Sequence, residues 1–520
     1  MNNLWLKLKN SKIDWMITIV PLLIIIILCI LFITMPTQSN NVLSKIRFFF
    51  GDKLGSYYLI IGIVVLILAF VIAFSKIGNI VLGNKGEKPK YSFFSWGSMM
   101  FTCGLAADIL FYSFAEWIMY ASDPHLGELA QNSNYNQTIQ EWAGVFPLFH
   151  WSFIPWTFYL VLAVAFGFMM HVRRRNRQRF SESCRPLLGK QTDKIPGRVI
   201  DLFAVFALLA GTATTFTIAT PLMASIIETL FNITVDRKII TIIILVVTFI
   251  VYTYSLLHGF KGISILAKSC IFLFFGLLLF VLFFTGSFQY IVDTGIESFG
   301  KMIQNFIGLA TTTDPNRVTS FPQNWTIYYW AYWMVWCVAA PFFIGNISRG
   351  RTIRQTIIGG LGFGVGSTVI SFIILGNYSM KLQVKEVIDL VNMYKESGDI
   401  YQIIITIIKT MPLSNFILVL VLVTMMLFYA TSFDSIAYTA SCYSYKVLSE
   451  NEKPKWTIQL LWCILLIILP IALIFSESSM TNLQSLSIVS AFPIGIIMIL
   501  IIISFFIDSK KFLEEDIKTE

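Results

Sequence analysis

An aspartate set in an apolar run is the position in this chain with the clearest chemical potential. Asp108 ends the stretch Gly104, Leu105, Ala106, Ala107, Asp108, inside SWGSMMFTCGLAADILFYSFAEW. An ionisable side chain at bilayer depth is costly and is usually retained for function. The small residues around it allow a helix to loosen. Freed carbonyls beside a carboxylate there suit a cation, a proton or an ammonium group. The competing reading is a packing patch in which Asp108 pairs with an Arg or Lys. Glu116, nearer the outer end, reads as structural. A second polar set, Thr431, Ser432, Asp434 and Ser435, lies in FYATSFDSIAYTASCYSY. It offers hydroxyl and carbonyl ligands to an ion, or hydrogen bonds across a helix interface.

Aromatic residues are the other chemical feature. NWTIYYWAYWMVW (324–336) holds four Trp and three Tyr, and LFHWSFIPWTFY holds Trp151, Trp156 and Tyr159. In a helix, Trp156 and Tyr159 share a face that Pro155 re-aims, and Trp333 and Trp336 are likewise three apart. Two helices that each present a ring pair can enclose a box. Trp faces attract cations through their quadrupole, and a quaternary ammonium offers nothing to hydrogen-bond. An interfacial belt with core packing accounts for the same rings equally well.

The elements that must position these groups are membrane helices. Of 520 residues, 56% are hydrophobic and 13% charged, against roughly 25% charged in an ordinary soluble domain. Apolar runs long enough to cross a hydrocarbon core of about 30 Å recur along the chain. They fall at about 15–35, 57–83, 92–121, 142–172, 197–231, 238–257, 262–287, 326–349, 352–378, 413–447, 455–476 and 482–508, which makes twelve. The first run is too long for a signal-peptide core and reads as a retained span. Two amphipathic segments, 288–308 and 384–410, read as surface helices. Arg173, Arg174, Arg175, Arg177 and Arg179 follow the fourth span and Arg349, Arg351 and Arg354 the eighth. Lys446, Lys453 and Lys455 follow the tenth, whereas the loop after the third has Asp123 and Glu128 but no Lys or Arg. Both termini are therefore expected in the cytoplasm of a multi-pass plasma-membrane protein. The same asymmetry explains the net charge of +9, so nucleic acid is not expected as a partner. Seven scattered Cys and four unclustered His give no metal or disulfide framework. No nucleotide-binding loop, metal pattern or nucleophile motif appears, so neither an enzyme nor a cofactor is expected. GGLGFGVG (359–366) reads as a site of close helix approach.

The sequence resembles the betaine/choline/carnitine transporter family. NWTIYYWAYW matches that family's signature, with Tyr332 in place of the usual Trp. ISRGRTIR (347–354), MMFTCGLAADILFYSFAEW (99–117), HWSFIPWTFY (150–159) and ATSFDS (430–435) resemble further family stretches in the expected order. The resemblance implies an all-α fold of the leucine-transporter class, with two inverted five-helix repeats preceded by two extra helices. The expected divisions are 1–91 (N-terminus and two peripheral helices), 92–287 (first repeat), 288–325 (connecting helix), 326–508 (second repeat) and 509–520 (tail). It implies a homotrimer in the bilayer. Trp151, Trp156, Tyr159 and Trp333 would form an aromatic cage, Trp336 would contact substrate on the cytoplasmic side, and Tyr332 would line the inner pocket. It further implies symport of a quaternary ammonium compound of the choline or glycine betaine class by alternating access. Asp108 is typical of members resembling proton-coupled choline carriers, while Thr431 and Ser432 match two sodium-ligand positions. A proton is thus the expected coupling ion, and sodium-coupled uptake of betaine or sarcosine the alternative. Exchange and a non-transporting receptor are further alternatives. Cys270 stands where sodium-independent exchangers carry Arg, which argues against exchange. The short tail DSKKFLEEDIKTE favours nutrient uptake over osmotic regulation.

Overall fold

The computed structural model describes residues 12–103, 107–175, 177–258, 261–448, 453–476 and 480–519. Of the small-residue stretch expected before Asp108, Gly104, Leu105 and Ala106 lie outside the described residues. Among those described, regular structure is helical apart from isolated β-bridges. Among the described residues nine helices are long and apolar enough to cross a membrane, and up to twelve spans result if each bent pair is one crossing.

The first two spans, Trp15–Thr34 and Gly55–Phe74, keep Leu23, Ile27, Ile30, Ile60 and Ile67 exposed. An apolar exterior of this kind belongs against lipid. The third span is Phe93–Cys103 plus Ala107–Ser122, bent by 62°. The fourth runs over Tyr135–Val172 and the fifth is Ile195–Phe231; the middle of the fourth is almost wholly buried and that of the fifth largely so. The sixth is Arg237–His258 and the seventh Lys261–Phe284, after which Phe288–Thr311 turns away by 109°. Such a turn fits a helix lying along the surface, as its amphipathic sequence leads one to expect. The eighth span, Pro322–Trp336 plus Ala340–Ile347, bends by 57°. Ile353–Val384, Ser414–Tyr443, Trp456–Phe475 and Met480–Thr519 complete the set. The expected amphipathic segment 384–410 forms two short helices, Leu390–Ser397 and Ile400–Lys409.

The second span ends at Phe74 rather than near 83. ISRGRTIR explains the difference. Arg354 Nε donates to the Ala73 carbonyl at 2.8 Å, satisfying a helix end that has run out of intrahelical donors. The chain that follows pairs with the motif: Leu82 N–H donates to the Arg351 carbonyl, Gly350 N–H to Leu82, and Ile353 N–H to Ile80. Gly350 has φ +82°, and a Cβ there would lie 2.3 Å from the Lys88 carbonyl oxygen, so only glycine fits. The Arg351 guanidinium sits 4.3 Å over the Trp96 ring and donates to the Tyr91 carbonyl. Thr352 and Gln355 close a capping box that starts the ninth span. The motif therefore clamps the entry of the third span to the exit of the eighth.

Spans four and eight cross at their closest where Gly167 meets Gly345. A Cβ on Gly345 would lie 2.7 Å from the Ala163 carbonyl oxygen and 2.9 Å from the Gly167 nitrogen. Backbone cannot give way as a flexible side chain can. Gly345→Ala is accordingly expected to force these helices apart, at about 1–3 kcal/mol for an overpacked contact. The check is a lower melting temperature of the purified protein; an unchanged one would show that the crossing relaxes.

Candidate functional site

The four Trp of NWTIYYWAYWMVW have separate partners. Trp325 donates its indole N–H to Asp123 at 2.9 Å. Trp330 packs beneath the second span, where a Cβ on Gly62 would meet its Nε1 at 2.8 Å. Trp333 and Trp336 line a cavity of about 370 Å³ in the middle of the helix bundle. Trp151, Tyr159, Tyr332, Asp108, Ala107, Thr215, Cys270, Phe428, Tyr429, Thr431 and Ser432 share its wall. All the expected site residues that the structure describes, save Trp156, therefore face one space.

The rings gather around Trp333. Its centroid lies 5.6 Å from that of Trp151, 5.7 Å from Trp156 and 4.9 Å from Tyr159, all steeply inclined. Inclined pairs at these distances are favourable for aromatic quadrupoles. Trp156 is fully buried behind the wall. A Cβ on Gly364 would stand 2.5 Å from its ring, so the glycine run of the ninth span is the shelf on which that indole rests. Wide π-helical turns at Leu361–Val365 and Phe372–Gly376 shape the same span.

Trp151 is aimed by a helix break. Val145–His150 stops, and the helix resumes at Phe153. Pro155 has no N–H to return to the Trp151 carbonyl. Thr368 supplies the missing donor, its hydroxyl 2.6 Å from that oxygen. The Trp151 indole N–H donates to Glu116 Oε2 at 2.8 Å, and Tyr120 O–H donates to Oε1 of the same carboxylate. Tyr120 in turn meets His150 Nδ1 at 2.7 Å, and His150 Nε2 meets the Thr326 hydroxyl at 3.0 Å. Glu116 and His150 are wholly buried. Read as structural from the sequence, Glu116 does hold structure, but the structure it holds is the cavity wall. The usable signal was an intramembrane Glu with Tyr at i+4 and a His adjoining Trp151; nothing in sequence said that the two helices meet.

Asp108 is 4% exposed. Its Oδ2 accepts the Tyr332 hydroxyl, and that phenol oxygen lies 2.5 Å from Thr215 Oγ1. Oδ1 is buried with no partner. Among the described residues no Lys or Arg pairs with Asp108, so the packing-patch reading with a basic partner finds no support there. Thr431 donates to the Leu427 carbonyl of its own helix at 2.9 Å, leaving its lone pairs free at the wall. Cys270 is in the wall and Lys268 is exposed, so neither residue places a positive charge in the cavity. No group of three or more His, Cys, Asp or Glu that would hold a metal ion is found among the described residues.

A bundle of bent membrane helices around a central cavity walled by rings and a buried carboxylate is an architecture that secondary transporters use. The profile described as "BCCT, betaine/carnitine/choline family transporter" matches residues 16–513, and the chain belongs to that family. It is 28% identical to the glycine betaine transporter OpuD of Bacillus subtilis, over 93% of this chain and 92% of that protein. A carnitine transporter of Acinetobacter baumannii is 26% identical over 85% and 79% of the two chains. The osmo-dependent choline transporter BetT2 of Acinetobacter baylyi is 26% identical over 95% and 71%.

Glu116→Gln retains shape but leaves a single carbonyl for two donors. The expected loss is about 1–3 kcal/mol, the cost of leaving a buried donor without its acceptor. A depressed melting temperature together with a shifted tryptophan emission spectrum would register it. Wild-type values in both would detach Glu116 from the cavity wall.

Proposed function

We propose that this chain is a secondary active symporter importing a small methylated ammonium compound of the choline or glycine betaine class, with a proton as coupling ion. The observation that carries this reading is the pairing, in one cavity, of ring-bearing walls with an unpaired buried carboxylate oxygen. Trp151, Tyr159, Trp333 and Trp336 offer π faces to a methylated ammonium, a cation that no hydrogen bond can hold. Trp156 acts from behind, keeping Trp333 and Tyr159 in place. The names of the three relatives support the same substrate class.

Asp108 takes the proton in this reading. Its Oδ1 accepts from no other side chain, and a carboxyl group that carries a proton crosses the cycle as a neutral group. That spares the cost of moving an unpaired charge through a low-dielectric interior. Tyr332 anchors the other oxygen and so fixes which one is free. The arginine-rich end is taken as cytoplasmic, with both termini on that side, and the molecule as a homotrimer of chains each built from two inverted repeats. In this orientation Phe343 and Ser435, exposed at the inner end of the cavity, mark its exit. Tyr120, His150, Phe321 and Trp325 pack together at the opposite end and form the closed outer side. One observation favours a second reading. Thr431 and Ser432 line the same cavity as Asp108, so sodium held by their hydroxyls would serve as coupling ion instead.

Uptake into proteoliposomes separates these readings. Trp333→Ala is expected to abolish saturable uptake, because a desolvated cation–π contact is worth about 2 kcal/mol or more, and Trp333→Phe to weaken it less. Wild-type affinity in the Ala variant would overturn the aromatic site.

An inward proton gradient without sodium should drive accumulation, and Asp108→Asn should remove that drive while sparing binding. Uptake that needs sodium, is insensitive to Asp108→Asn and is lost in Thr431→Ala or Ser432→Ala would replace the proton with sodium.

A further inference from the structure

Between the closed outer side and the central cavity runs a chain of buried polar groups. Its links lie on three spans: Thr326 in the outer part of the eighth, His150 and Trp151 at the break of the fourth, and Tyr120 and Glu116 one turn apart on the third. Tyr120, His150 and Glu116 are wholly buried, and Thr326 and Trp151 nearly so. A buried polar group costs free energy unless it is paired, and each of these is paired within the chain.

The proton positions follow from the supply of donors. Tyr120 has one hydroxyl proton and gives it to the Glu116 carboxylate. Its oxygen therefore accepts, and His150 Nδ1, 2.7 Å away, carries the proton that donates to it. A neutral imidazole protonated at Nδ1 presents a lone pair at Nε2, and the Thr326 hydroxyl, at 3.0 Å, fills it. Every donor thus points from Thr326 towards Glu116. The second oxygen of that carboxylate takes the Trp151 indole N–H at 2.8 Å. Hydrogen bonds aligned in this way polarise one another, so loss of the first is felt at the last.

One link differs in kind. The bonds among His150, Tyr120, Glu116 and Trp151 join the third and fourth spans, whereas the bond from Thr326 ties the chain to the eighth. Trp333, whose ring lies 5.6 Å from that of Trp151, stands on the eighth span as well, about two turns further in. Separation of the eighth span from the third and fourth on the outer side breaks the Thr326 bond and leaves the others in place. Apolar rings such as Phe146 and Phe321, at 4.6 Å, also close that side, but they give a polar anchor nothing to read.

We propose that His150 is a positioning residue for the ring wall: through Tyr120 and Glu116 it converts closure of the outer side, sensed at Thr326, into the orientation of the Trp151 indole that receives the methylated ammonium. This rests on the substrate reading above and adds to it residues that touch no substrate.

The test uses the full chain in nanodiscs, with choline, glycine betaine and tetramethylammonium as probes. Thr326→Val keeps the shape and removes the donor, and Thr326→Ser keeps the donor. For the probe that the wild type binds, Thr326→Val should raise Kd roughly fivefold or more, the scale of one hydrogen bond, and Thr326→Ser should restore most of the affinity. In a Trp151→Phe background, which has no indole N–H to anchor, Thr326→Val should change Kd by less than about twofold, the mark of residues that act through one another. The indole N–H resonance of Trp151 in isotope-labelled protein, identified by its loss in Trp151→Phe, should move in Thr326→Val with no probe present. Should Thr326→Val not fold, Thr326→Ala removes the same donor. An unchanged Kd, equal factors in the two backgrounds or an unmoved Trp151 resonance would reduce the chain to a structural brace and overturn the proposal. Wild-type protein that binds none of the three probes would overturn the substrate reading itself, and the proposal with it.

Discussion

A helix interrupted inside a membrane frees backbone groups that no water is present to satisfy, and this constraint governs the rest of the architecture. The third and eighth spans each bend near mid-length, and the fourth stops at Trp151. All three interruptions border the central cavity. The fourth shows how such a break is sustained: Pro155 removes the helical donor and Thr368, from the ninth span, replaces it. A helix pair that can be broken only where a third helix repairs it is thereby locked in register. The aromatic rings take their positions from that register.

Small residues do the remaining positioning. Gly364 seats Trp156, Gly62 seats Trp330, and a Cβ on Gly211 would press on Val335 and Trp336 at 3.1–3.2 Å. Each glycine lies opposite a Trp, so the largest side chains in the chain rest on the thinnest parts of neighbouring helices. Without a hydrophobic drive between helices in lipid, this kind of close packing is what holds membrane helices together. Interlocked rings and backbones resist gradual deformation. Displacement of whole helices about the breaks is the motion such packing leaves open.

Helix number and the approximate spans were legible in sequence, and Asp108 stood out because intramembrane charge is expensive; the grouping of Trp151, Tyr159 and Trp333 was implied only by the family resemblance. What was not legible depended on pairing between distant segments. Trp156 reads as a cage wall by its spacing from Tyr159, but its burial behind the cavity follows from Gly364, two hundred residues away. ISRGRTIR reads as a charge signal and a family mark; its hydrogen bonds to residues 73–91 make it a clamp. Glu116 has a structural role, but which structure it serves rests on Trp151 lying within reach. Periodicity reports the faces of a helix. It is silent about what meets them.

Asp108 and Tyr332 illustrate how a departure from a family pattern acquires meaning only in pairs. Resemblance alone marked each as unusual, one as an acid where sodium-coupled members have glycine, the other as a phenol where Trp is usual. In space they are hydrogen-bonded to each other. An indole offers one donor and no acceptor, so a Trp at 332 would end the chain of contacts at itself. A phenol donates and accepts, and Tyr332 meets both Asp108 and Thr215. A lone carboxylate buried in this wall would carry two unsatisfied oxygens. With the phenol it carries one. The acid and the phenol are therefore best treated as a single substitution, each making the other tolerable inside the membrane.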